Sequence, residues 1–126
     1  MDFKLEVVPI PVTDVDRAKS FYADQAGFHV DHDMAFGEDF RVIQLTPPGS
    51  ACSIVIGKGV TANDPGCIQG LHLVVTDIQA ARAALVARGV EMGDVETMGA
   101  PGRPNVYYSR FQDPDGNGWT LQQVGD

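Results

Sequence analysis

Three histidines, His29, His32 and His72, are the side chains in this sequence best suited to move a proton near neutral pH or to hold a metal. His29 and His32 stand three positions apart on a segment that reads as a strand. Strict alternation sends them to opposite faces, so they cannot chelate together and are expected at the surface. His72 sits inside an apolar strand pattern and has two readings, a general base or ligand-binding donor, or a hydrogen-bonded histidine lining a pocket. Cys52 and Cys67 lie fifteen positions apart without Cys-x-x-Cys spacing. They support neither a disulfide scaffold nor a zinc ribbon and read as two free, largely buried thiols. No Gly-x-Ser-x-Gly elbow is present, and no glycine-rich phosphate loop opens a helix. Gly57-Lys58-Gly59 and the stretch Gly99 to Pro104 read as flexible loops, the second as either a lid over a cavity or an ordinary connector.

The 126 residues suffice for one domain and not for two independent cores. A net charge of −8 argues against nucleic acid, because the summed field repels a polyanion, and it favours a cationic ligand. Met1 to Glu6 carries charge where an export signal needs an apolar run, and no apolar stretch approaches the ~20 residues that cross a bilayer. A cytoplasmic protein without membrane contact is expected.

What must position any chemistry is a repeat. Val12-Thr13-Asp14-Val15 recurs as Val75-Thr76-Asp77-Ile78, 63 positions later, and Ala18 maps onto Ala81. After one residue of slippage Gly27-Phe28 maps onto Gly89-Val90. Residues 7–12 and 71–75 read as strands. Asp14 and Asp77 are suitable helix N-caps, and Gly27 and Gly89 suitable helix stops. Val15, Ala18, Phe21 and Tyr22 form one apolar helical stripe; Ile78, Ala81, Leu85 and Val86 form the other. Three strands are expected after each helix, at residues 28–32, 40–46 and 52–56, then 90–94, 105–111 and 119–124. Turn sequences separate the last two strands of each unit. The pattern is βαβββ, twice: an α+β chain of 1–126 with module one at about 1–57, a linker at about 58–69 and module two at about 70–126.

In register, Pro11 to Tyr22, Gly27-Phe28, Leu73 to Ile78 and Phe111 to Asn117 resemble the glyoxalase / bleomycin-resistance / extradiol-dioxygenase (vicinal oxygen chelate) superfamily over essentially the whole chain. The resemblance implies two modules with curled mixed sheets around a cavity, paired within or between chains. Family enzymes hold a divalent metal with His or Gln, Glu, His and Glu. The corresponding positions here are Val7, Ser53, Gly70 and Thr120, which offer no carboxylate, imidazole or thiolate. No metal and no other cofactor is therefore expected.

The same register places His72 on the cavity side with Val74, and Thr120 with Gln122. Tyr108 and Arg110 face inward from the neighbouring strand; Arg110 could bind a ligand carboxylate or pair with an acidic side chain. Ser53 belongs to the same lining, whereas Trp119 and Phe21 read as core. Two functions follow. The first is a metal-free binding protein that sequesters a drug or metabolite, cationic or aromatic, as a homodimer. The second is a lyase, isomerase or dioxygenase acting on a small carbonyl or phenolic compound, through unorthodox ligands or through His72 with Arg110 or Tyr108.

Overall fold

The computed structural model describes residues 1–126. Its first module runs β1 (Val7–Pro9), α1 (Val15–Ser20), a π-helical turn (Phe21–Gln25), β2 (His29–Ala35), β3 (Arg41–Thr46) and β4 (Ser53–Lys58). Its second runs β5 (Leu71–Val74), α2 (Ile78–Ala87), β6 (Glu96–Met98), β7 (Val106–Gln112) and β8 (Gly118–Val124). Each module makes its own four-stranded sheet, in the orders β1-β4-β3-β2 and β5-β8-β7-β6. In both, the first strand joins the last in parallel and the other pairings are antiparallel. The architecture is the expected α+β one, with two mixed sheets that do not close on each other within the chain.

The capping residues act as their chemistry demands. Asp14 accepts from the Arg17 amide at 3.0 Å and Asp77 from the Ala80 amide at 3.0 Å, each stabilising its helix by about 1 kcal/mol. Gly27 and Gly89 take positive φ, +80° and +90°, where an L side chain is strained.

Four expectations change. The first strand ends at Pro9 rather than residue 12, because Pro9 and Pro11 bring no amide to the ladder. The first helix widens after Ser20, the Ala26 amide reaching the Phe21 carbonyl five residues back at 2.8 Å. The strand expected at 90–94 forms at Glu96–Met98 instead. Val90 is buried in the core, and the Gly93 amide makes only an isolated 2.7 Å bond to the Arg110 carbonyl before true pairing starts at Glu96. Cys52 and Cys67 are free, but Cys52 is half-buried and Cys67 exposed, so neither is a core thiol.

One core of 16 buried residues spans both modules. At its centre the Tyr22 ring lies 5.6 Å from Phe28 and 5.8 Å from Trp119, and Phe111 stacks on Trp119 at 6.1 Å. Burying such a ring stabilises by roughly 1.5–3 kcal/mol. Core residues alternate along the strands: Ile43, Leu45, Ile54 and Ile56 in one sheet, Phe111, Trp119 and Leu121 in the other. Each sheet thus packs one face on the helices and leaves the other open. No helix is long and apolar enough to cross a membrane.

Candidate functional site on the open sheet faces

Strand register decides which side chains share the open faces, because directly paired residues point the same way. In the second sheet His72 pairs with Thr120, and Thr120 with Arg110. One step along, Val74 pairs with Gln122, Gln122 with Tyr108, and Tyr108 with Glu96. Six of the seven expected lining residues therefore stand in two adjacent cross-strand rows. Thr120, between His72 and Arg110 in its row, is 5% exposed, while Val74 is 73% exposed in the single chain. The His72 and Tyr108 rings meet edge to face with centroids 6.1 Å apart.

Ser53, the seventh, heads the matching rows of the first sheet. Val7 pairs with Ser53, and Thr46 with His29; Thr46 Oγ1 lies 2.6 Å from Ser53 Oγ. The next row holds Pro9, Val55, Gln44 and His32. His29 and His32 were expected on opposite faces, and this is overturned. The register shifts between Val30 and His32, leaving Asp31 as the extra residue of a β-bulge. His29 opposite Thr46 and His32 opposite Gln44 then share the open face, since Thr46 and Gln44 are two apart on β3. Asp31 turns to the same side, accepting the Thr46 hydroxyl proton, with its other oxygen 3.9 Å from His29 Nε2. Gln44 and Thr46 were not among the expected lining residues, although alternation along residues 40–46 is the signal that puts them on one face; nothing in the sequence marks the bulge.

Arg110 faces the open side and gives one hydrogen bond, from Nη1, to Glu96 of the adjacent strand, so its charge is shared with that carboxylate. The 99–104 loop lines neither of the two larger clefts. One, of about 890 Å³, runs between the π-helical turn and the ends of β7 and β8, past Phe21, Gln25, Trp119 and Thr120. The other, of about 540 Å³, wraps the free edge of β5 and is mostly apolar, with His72, Val74, Phe28 and Leu85 in its walls.

The family's metal positions fail on donor chemistry. Val7 and Ser53 are paired neighbours on one sheet, while Gly70 precedes β5 and Thr120 lies on β8. Two have no side-chain donor and two only neutral hydroxyls, which do not fit a resident divalent ion. Nowhere do three His, Cys, Asp or Glu side chains approach closely enough to hold one.

The interior between the modules is polar at one point. The fully buried Tyr22 hydroxyl donates to Asp113 Oδ2 at 2.7 Å and accepts from Trp119 Nε1 at 3.0 Å. Asp113 also receives the Asn117 side-chain amide at 2.8 Å and the backbone amides of Asp115 and Asn117 at 2.9 Å. Burial, then the Asp113 carboxylate, push the Tyr22 phenol far above its ordinary range. The side-chain polar atoms of Tyr22, Asp113, Asn117 and Trp119 all have partners, which marks the cluster as structural, while Asp115 Oδ2 beside it is buried without one.

Solved structures share this fold. TnmS3, an antibiotic binding protein from Streptomyces sp. CB03234, is 31% identical with a TM-score of 0.81, the match covering 98% of each chain. A glyoxalase/bleomycin resistance protein from the same strain is 32% identical, TM-score 0.77, over 95% of this chain and 100% of that one. A superfamily member from Sphaerobacter thermophilus DSM 20745 is 26% identical, TM-score 0.78, over 97% and 98%. No curated protein matches the chain. The family model for the Glyoxalase/Bleomycin resistance protein/Dioxygenase superfamily matches residues 4–121, and the chain belongs to that superfamily.

Proposed function

We propose that this protein binds a small organic molecule between open sheet faces, without a metal, and sequesters a drug or metabolite rather than transforming it. The observation that carries the reading is the pairing of rows just described. They place His72, Thr120, Tyr108 and Gln122 together on a face whose family metal positions offer no ligands. Few orienting polar groups beside apolar ones such as Val74 are what a small-molecule site requires. The similarity to an antibiotic binding protein supports the same class of function.

A second copy would complete the site. β1 and β5 are both edge strands, each leaving one side of its sheet unpaired within the chain. A homodimer in the cytoplasm, covering both edges, is the assembly we infer. Native mass spectrometry of protein purified from its own host tests both points: we expect a dimer retaining a small organic compound. Sedimentation of only a 13.5 kDa species at micromolar concentration would remove the dimer. A stoichiometric transition metal with turnover of a carbonyl or phenolic compound would replace sequestration with catalysis.

A further inference from the structure

Two sets of hydrogen bonds on the open faces have directions fixed by their partners, at Ser53 and at His72, and the directions carry information about the ligand. Asp31, as a carboxylate, can only accept, so Thr46 gives it the one proton of its hydroxyl. Thr46 Oγ1 is then left to accept from Ser53 Oγ, 2.6 Å away. Ser53 has spent its only proton inward, and what it has left to offer is a lone pair. The same holds across the molecule at His72. Its Nδ1 lies 2.6 Å from the Gly70 carbonyl, which cannot donate. Nδ1 therefore carries a proton, and whenever the ring holds only that one, Nε2 presents a lone pair.

Charge points the same way. Arg110 is the only lysine or arginine among the strand residues that share these faces, and it stands paired with Glu96. Asp31 stands without a cationic partner of its own apart from His29 at 3.9 Å. Gln122, Tyr108, Thr120 and the His32–Gln44 pair can donate or accept and so do not select. The groups that do select are acceptors.

We infer that the site takes ring compounds that donate hydrogen bonds, neutral phenols and alcohols or protonated amines, and discriminates against ethers and carboxylates of the same shape. This rests on the reading of the open faces as the ligand site. Three probes of one skeleton separate the two claims: 2-naphthol, 2-methoxynaphthalene and 2-naphthoate, titrated by amide chemical-shift perturbation into the intact protein. The naphthol should bind about three- to tenfold more tightly than the methyl ether, the worth of one hydrogen bond, and the naphthoate most weakly. Thr46→Val releases the Ser53 proton for outward donation, so the preference for naphthol over the ether should shrink towards unity. Ser53→Ala should remove the Ser53 share of that preference while the melting temperature reports whether the fold survives. Equal affinities of naphthol and ether in the unaltered protein, with shifts at Ser53 and His72, would overturn the inference and leave the site standing. Shifts at neither residue with any probe would bring down the site and the inference together.

Discussion

The Tyr22 hydroxyl and the Asp113 carboxylate meet at 2.7 Å across 91 positions of sequence, joining the π-helical turn of one module to the β7–β8 turn of the other. The bond is dry, Tyr22 being fully buried and Asp113 5% exposed. It makes the two modules dependent on one another, as does the Thr13 hydroxyl bound to Asp115 at 2.6 Å.

Tyr22→Phe keeps the ring and removes only the oxygen. The Trp119 indole N–H then has no acceptor, and Asp113 loses one of its donors. A buried donor without a partner costs about 1–3 kcal/mol. Urea unfolding should show a loss of that size in one cooperative transition, because the 16-residue core is shared. Two separated transitions in the unaltered protein would contradict the coupling.

Alkaline pH acts on the same group. The folded state holds the Tyr22 proton, kept there by burial and by Asp113, while the unfolded chain loses it near pH 10. The contribution is complete below that value and declines as pH rises past it, by up to ~1.4 kcal/mol per pH unit for one group. Comparing urea midpoints of the protein and Tyr22→Phe between pH 8 and 11 checks this. The variant should lose stability less steeply, and identical slopes would refute the assignment.

His72→Ala and Gln122→Ala should each weaken ligand binding about three- to tenfold. Neither belongs to the buried core, so melting temperatures should barely move. The test uses the compound retained from the host. A large loss of stability at His72→Ala with unchanged affinity would reassign His72 to a structural role, holding the Gly70 carbonyl.

Elemental analysis of protein purified without chelators should find no stoichiometric divalent transition metal. Val7, Ser53, Gly70 and Thr120 supply no anionic or imidazole ligand. One equivalent of metal surviving His72→Ala would show that other residues form a centre.

The architecture was readable because it is written twice. Asp14 with Gly27, and Asp77 with Gly89, punctuate the two helices as their chemistry requires, and the repeat fixed their order. Alternation correctly grouped His72, Thr120, Gln122, Tyr108 and Arg110. Departures from the periods of 2 and 3.6 carry no such signal. The bulge at Asp31 and the π-helical turn at Phe21 each add one residue, and one residue leaves no compositional trace. Partner choice was equally hidden: Arg110 had seventeen acidic residues to choose from, and only β6 starting at Glu96 selects one.

The bulge at Asp31 also bears on how such a protein diversifies. Along a strand, gaining or losing a single residue exchanges everything beyond it between interior and exterior. Here the shift lies on β2, an outer strand whose side chains are mostly exposed, so the core tolerates it. One in-frame triplet at this point swaps the set of groups offered to a visitor while every buried residue keeps its neighbours. Relatives that differ in length between Gly27 and Arg41 are therefore candidates for altered ligand preference, even where point differences are few.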